Sequence, residues 1–175
     1  LIVVAIGSSS NGKTEIKDIS ITQSHFENLS AGTYLGGITG YTQWCNLKNC
    51  NTSIDVISRG NYSIVGGINA YNFQNAIEDC FSISTITSTG EGSTLGGVIS
   101  AGGQLGNIDR CYANINIEST GDSCYIGGFA GSTHTPINNC YSKGIISASG
   151  KGCVIGGFIG GITTGGNITN AYSVC

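Results

Sequence analysis

Cys140 to Phe158 reads CYSKGIISASGKGCVIGGF, and this stretch decides the fold because the chain repeats it. Its Gly-Gly pair begins at Gly156, and aligned pairs begin at Gly36, Gly66, Gly96 and Gly127, at intervals of 30, 30, 31 and 29 residues. Sixteen residues before four of these glycines stands a cysteine: Cys50, Cys80, Cys111 and Cys140. Ser20 holds that place before Gly36. A fixed period in this range marks stacked supersecondary units, each too small to bury its apolar face alone.

Laid under one another, the units share three apolar columns. Six residues after the cysteine position come Phe26, Val56, Ile86, Ile117 and Ile146. Fifteen residues after it come Leu35, Val65, Leu95, Ile126 and Ile155, and two past the first aligned glycine come Ile38, Ile68, Val98, Phe129 and Phe158. The second residue after the cysteine position is small throughout: Thr22, Thr52, Ser82, Ala113 and Ser142. Alternation of this kind is the period-two mark of a strand with one face inward. A further glycine recurs at Gly60, Gly90, Gly121 and Gly150, where the chain must turn. Gly-Gly pairs, β-branched residues and scarce helix formers count against helix. The expected fold is all-β, a parallel β-solenoid of about five rungs of some 30 residues over 20–175, preceded by a strand and lead-in at 1–19 that pairs with a neighbouring rung or subunit.

Length differences between rungs are confined to one segment. Cysteine position to glycine is always 16 residues, whereas glycine to the next cysteine position takes 14, 14, 15, 13 and 15. One wall is therefore constant and one corner variable, and a variable corner is where a solenoid builds binding surface, for glycan among other ligands.

Composition bounds the function. The chain has 175 residues, enough for one domain with a real core. It carries 29 glycines, one proline and a net charge of −3, so there is no electrostatic footprint for nucleic acid or an anionic membrane. The opening LIVVAI is too short to span a bilayer, and membrane insertion is not expected. With no initiator Met, either a leader has been removed or the chain is part of a longer one. Eight cysteines and four glycosylation sequons, at Asn28, Asn51, Asn61 and Asn167, fit an extracellular or cell-surface glycoprotein.

The pattern Gly-Gly-hydrophobic-x-Gly, then a polar loop and I-x-x-C-Y-S, resembles the GLUG-motif repeat of bacterial and protist surface proteins. It stands as GGFAG at 127–131 and GGFIG at 156–160, with INNCYS at 137–142. The third rung departs from it, with GGVIS at 96–100 and extra glycines at 102 and 103. The resemblance covers residues 20–175. It implies a β-solenoid in large extracellular proteins, adhesin-like or attached to secreted proteases, and no catalytic residues.

The cysteine ladder Cys50, Cys80, Cys111 and Cys140 has two readings. Rungs about 4.8 Å apart fall within disulfide reach, so Cys50–Cys80 and Cys111–Cys140 can pair; equally, the column can be packed free thiols. Ala171, next in the column, fits the packed reading. Cys124 and Cys153 share a second column and are the disulfide candidates if it faces outward. Cys45 and Cys175 have no cysteine neighbours in their columns. No Cys-x-x-Cys occurs, so no metal site is expected, and no cofactor.

Catalysis finds no elbow motif, and His25 and His134 lie in unrelated rungs. Glu78 and Asp109 share a column beside Asp79 and Arg110, which reads as a solvated corner with an opposite-charge pair rather than an acid–base pair. No enzyme is expected. Ice binding would need a regular Thr array; residues 85–89 and 116–120 offer Thr and Ser, but Glu27, Asp55, Arg59 and Glu118 interrupt the columns.

The ends suggest assembly. AYSVC opens a further rung at Ala171, Tyr172, Ser173, Val174 and Cys175. If a second copy's Leu1, Ile2, Val3 and Val4 continued it, Ile2 would take the sixth place, in the apolar column, and Gly12 the first aligned glycine. Such a contact is heterologous and non-closing, and gives a head-to-tail filament. Further repeats of a longer chain would give the same phase. The expected function is an extracellular structural protein, a fibre subunit or adhesin stalk, with a glycan- or ice-binding module as the alternative and a carbohydrate-active enzyme behind both.

Overall fold

The computed structural model describes residues 2–6, 14–103, 105–162 and 166–175. The chain is a parallel β-solenoid of about five turns, about 30 residues apart, with no helix among the described residues. Its strands line up in four parallel walls. Wall A holds Ile2–Ile6, Thr39–Gln43, Asn69–Phe73, Ile99–Gly102, Ala130–Thr133 and Ile159–Ile162. Wall B holds Thr14–Lys17, Cys45–Lys48, Ala76–Glu78, Asn107–Asp109, Ile137–Asn138 and Ile168–Thr169. Wall C, with the longest strands, holds Ser20–Asn28, Asn51–Ser58, Phe81–Ser88, Tyr112–Ser119, Tyr141–Ala148 and Tyr172–Val174. Wall D is built of three-residue strands, Tyr34–Gly36, Ile64–Gly66, Thr94–Gly96, Tyr125–Gly127 and Val154–Gly156. The chain visits the walls in the order A, B, C, D and then starts the next rung.

The core is the stack of inward columns. On wall C, Ile54, Val56 and Ser58 point in while Ser53, Asp55 and Ile57 point out. Ile86 and Ile117 from that wall, Leu95 and Ile126 from wall D, Ile77 and Ile108 from wall B, and Ile68, Val98 and Phe129 at the D–A corner are all buried. Each such side chain contributes about 1.5–3 kcal/mol by leaving water. Phe129 and Phe158 stack inside the coil with ring centroids 4.8 Å apart.

The Gly-Gly pairs have a steric cause. A Cβ on Gly96 would overlap the Ile99 carbonyl, and one on Gly97 would meet the Gly128 carbonyl and, at 2.7 Å, the Cβ of Ala113. The D–A corner therefore presses against the small column of wall C. Thr52 and Ser142 use that contact, their hydroxyls donating to the carbonyls of Gly67 and Gly157 at 2.9 Å. Small residues there are what let the corner close.

The B–C corner is made by a left-handed residue in every rung: Asp18, Asn49, Asp79, Arg110, Asn139 and Asn170, with φ between 49° and 57°. Asp and Asn reach this region more cheaply than other side chains. Their side chains also stack along the axis, with Asn49 Nδ2 donating to Asp18 at 2.7 Å and Asn170 Nδ2 to Asn139 at 3.1 Å.

Two alignments read from the sequence are corrected. In the first rung Ser20 pairs with Asn51 and Ile21 with Thr52, so Ile19, not Ser20, stands over Cys50, and Ile21, not Thr22, takes the small column. The register then slips by one between Ile21 and Ser24, where Gln23 has φ 51°. This bulge returns Phe26 to the Val56 column. The second correction concerns the first strand. Ile2 pairs with Thr39 in wall A, not with the sixth-place column of wall C, so the strand-continuation phase built on it does not hold. Leu1 and Gly12 lie outside the described residues. Residues 2–6 and 14–17 belong to walls A and B, which extends the rung pattern upstream of residue 20.

Candidate functional site

The cysteine column lies at the start of wall C, immediately after the left-handed corner residue. The backbone N–H groups of Cys50, Cys80 and Cys111 each donate to the sulfur of the next cysteine at 3.4 Å. Each thiol in turn donates to the carbonyl two residues before it, at 3.2, 3.1, 3.3 and 2.9 Å for Cys50, Cys80, Cys111 and Cys140. Sulfur is thus both acceptor and donor within the corner. All eight cysteines are free thiols in the structure; six are buried, Cys153 is half-buried and Cys175 exposed. Burial pushes the Cys111 thiol well above its ordinary value and raises those of Cys45 and Cys124.

Cys124 and Cys153 stand in one column with Ser63 and Ser93, one residue ahead of the paired wall D strands. That column faces inward: Cys124 is fully buried, and its thiol lies 3.4 Å from the Gly121 carbonyl. The Cys153 thiol donates to the same carbonyl at 3.3 Å.

The charged corner comes together as expected from the columns. Glu78 is in register with Asp109. Arg110 spans them, with Nε on Asp79 at 2.6 Å, Nη2 on Glu78 at 3.6 Å and Nη1 on Asp109. The Arg110 guanidinium holds the Asp79 carboxyl below its usual range. These carboxylates share one cation at the surface, as an opposite-charge pair across rungs does. Among the described residues, no cluster of three His, Cys, Asp or Glu is placed to hold a metal ion.

The sequons divide by exposure. Asn28 is buried, with Nδ2 donating to the Ser30 carbonyl at 2.8 Å and Oδ1 accepting from the Ser30 N–H at 3.0 Å. Asn51 is half-buried and accepts from the Ser20 hydroxyl at 2.7 Å. Asn61 and Asn167 are exposed, the former in the C–D turn. At the last rung, Ala171 follows Cys140 in its column, Tyr172 stacks on Tyr141 at 5.1 Å, and the Ser173 and Ser142 hydroxyls lie 3.1 Å apart. Val174 is 68% exposed and Cys175 is exposed too.

The variable segment is the A–B corner. Among the described residues it takes Trp44 alone in one rung, then residues 74–75, then 103 and 105–106, then 134–136. Trp44 and Gln74 turn the chain with φ of 50° and 65°. Asn75 anchors the corner from inside: Oδ1 accepts from the Cys45 N–H at 2.5 Å and Nδ2 donates to Asn72 at 3.0 Å. An outward aromatic ladder, Phe81, Tyr112, Tyr141 and Tyr172, runs down wall C with centroids 4.9–5.1 Å apart. Neither the buried asparagines nor this ladder was read from the sequence. The ladder's signal was present, in the aromatic residue that follows Cys80, Cys111, Cys140 and Ala171.

No protein-family model matches the chain, and no curated protein or solved structure matches it either.

Proposed function

We propose that this chain is an extracellular structural element, a β-solenoid rod of the GLUG-repeat kind that serves as a fibre subunit or as the stalk of a surface adhesin. The observation that supports this best is the fate of one column. Ile126 is fully buried under the next rung, whereas Ile155, its partner in register, is 51% exposed at the free edge of wall D. Tyr172 and Val174 are 59% and 68% exposed at the edge of wall C. These are core and ladder positions left open, with their backbone groups ready to pair. A rung stacked on this edge, from a second copy or from further repeats, would bury them at about 25 cal/mol per Å² of apolar area.

With strand continuation through Ile2 withdrawn, stacking is wall on wall: each wall offers one free edge at either end. This reading needs no catalytic constellation, and a chain poor in charge relies on Ser, Thr and Asn for solvation. Electron microscopy of the purified chain tests assembly. Unbranched filaments about one solenoid wide support it; dispersed particles at high concentration remove the self-stacking form and leave only the stalk form.

A further inference from the structure

The A–B corner carries a cleft that the rod reading does not use. The outward column of wall A runs Tyr41, Tyr71, Ala101, Ser132 and Gly161. Tyr41 and Tyr71 stack at 5.6 Å, and Tyr34 meets Tyr71 edge-on at 5.9 Å. The ring column then stops at Ala101, so no aromatic follows Tyr71 on its lower side. One column over, Phe73 lies along Gly103, where any Cβ would come within 2.9 Å of its ring. The extra glycines of the third rung are thus the floor beside an aromatic wall.

The hollow this leaves has a volume of about 350 Å³ and is lined by Tyr71, Phe73, Gln74, Gly103, Leu105 and His134. A second hollow of about 460 Å³ adjoins it through Gln74 and Leu105 and adds Trp44 and Asn107. The backbone beneath is pinned. The Gly103 N–H donates to the Asn72 carbonyl at 2.9 Å, and the Thr135 hydroxyl to the Gly103 carbonyl at 2.7 Å. A cleft held in this way needs little ordering when it is filled.

We infer that this corner binds a neutral saccharide. Among the described residues, no Asp, Glu, Lys or Arg lines either hollow. Nucleic acid, which also stacks on aromatic rings, needs cations along its phosphates, and this chain has seven Lys and Arg against ten Asp and Glu. A purely apolar ligand offers nothing to the Gln74 amide that lines both hollows. A sugar ring satisfies both halves: its C–H face lies on an aromatic face, and its hydroxyls pair with a side-chain amide. The lengths of the A–B turns set which of these groups project, so the variable corner is also the specificity-setting one. This site is independent of whether copies stack.

Trp44 is the one tryptophan of the chain and lines the second hollow, so its emission reports occupancy. The probes are cellohexaose, mannohexaose and N-acetylchitohexaose. At least one is expected to give a saturable change with Kd of about 1 mM or tighter. Tyr71→Ala and Leu105→Glu are each expected to weaken it about tenfold or more, and Thr85→Ala on wall C to leave it unchanged. Leu105 is 64% exposed, so its variant folds even if Tyr71→Ala does not. No saturable change with any probe up to about 10 mM overturns the proposal. So does binding that survives both corner variants, or saturation by a proline-rich decapeptide alone, which assigns the corner to peptide.

Discussion

The backbone N–H of Cys80 donates to the sulfur of Cys111 one rung on, at 3.4 Å. Cys111 returns its own proton to the Asp109 carbonyl at 3.3 Å, in a site 1% exposed. Cys111→Ala removes acceptor and donor together and is expected to cost about 1–3 kcal/mol, read as a lower urea midpoint with unchanged slope. The same burial sets a pH limit. The thiols of Cys45 and Cys124, which stand outside the ladder, titrate above their ordinary value of 9.0 when folded, so each keeps a proton that the unfolded chain gives up. Their stabilisation is whole below pH 9 and drains as pH climbs towards the folded values. A stability profile that stays flat up to about pH 10.5 would refute it. In the native state, alkylation is expected at Cys175 first, Cys153 next, and at the buried six only after unfolding.

Two glycines separate steric need from backbone need. Gly97→Ala drives a methyl into the Gly128 carbonyl and against Ala113, with backbone on one side and core on the other. It is expected to cost more than about 4 kcal/mol and to leave little folded protein. Gly32 has φ of +66° but open space around the added carbon. Gly32→Ala therefore costs only the left-handed penalty, about 1–2 kcal/mol. Equal thermal shifts for the two variants would contradict this account of the Gly-Gly pair.

The rung period and its three apolar columns were legible because burial acts on every copy alike: Val56, Ile86 and Ile117 answer one environment. What escaped was local. Ser20 took the cysteine place by counting back sixteen residues from Gly36, and a one-residue bulge at Gln23 is invisible to counting. The first strand went to wall C because apolar residues fit any inward column; only its pairing with Thr39 distinguishes wall A. The left-handed corner was written as Asp18, Asn49, Asp79, Asn139 and Asn170, a signal Arg110 obscures. The A–B corner was legible as a variable length, but not as an aromatic wall. Tyr71 and Phe73 gain meaning only from Ala101 and Gly103, which stand 30 positions later and one rung below.

Arg110 offers a milder test. It closes on Asp79, Asp109 and Glu78 at the surface, and pairs of this kind are screened by salt. Asp79, held below its usual range by Arg110, lends stability that is present above the ordinary carboxylate value of 3.8 and lost as pH falls through the folded value. Arg110→Ala is expected to leave neutral-pH stability in high salt nearly unchanged and to flatten the acid limb of the profile. An acid limb identical to that of the parent chain would show that Asp79 draws no stability from Arg110.

Asn28 and Asn61 share a sequon but not a role. Asn28 holds the C–D turn of the first rung: besides both bonds to Ser30, it accepts from the Thr33 hydroxyl at 3.1 Å and donates to Ser63 at 3.3 Å. Asn61 is exposed, accepting one bond from the Glu91 N–H at 3.0 Å. A glycan on Asn28 would displace the Asx-type turn it makes, whereas one on Asn61 projects into solvent. Secretion from a glycosylating host is therefore expected to yield folded protein modified at Asn61 and Asn167 and bare at Asn28, read by peptide mass after glycan release. Asn28→Ala should lower stability by about 1–3 kcal/mol, since buried partners lose their bonds, and Asn61→Ala by less than about 1 kcal/mol. Folded protein carrying glycan on Asn28 would mean that the turn is built some other way.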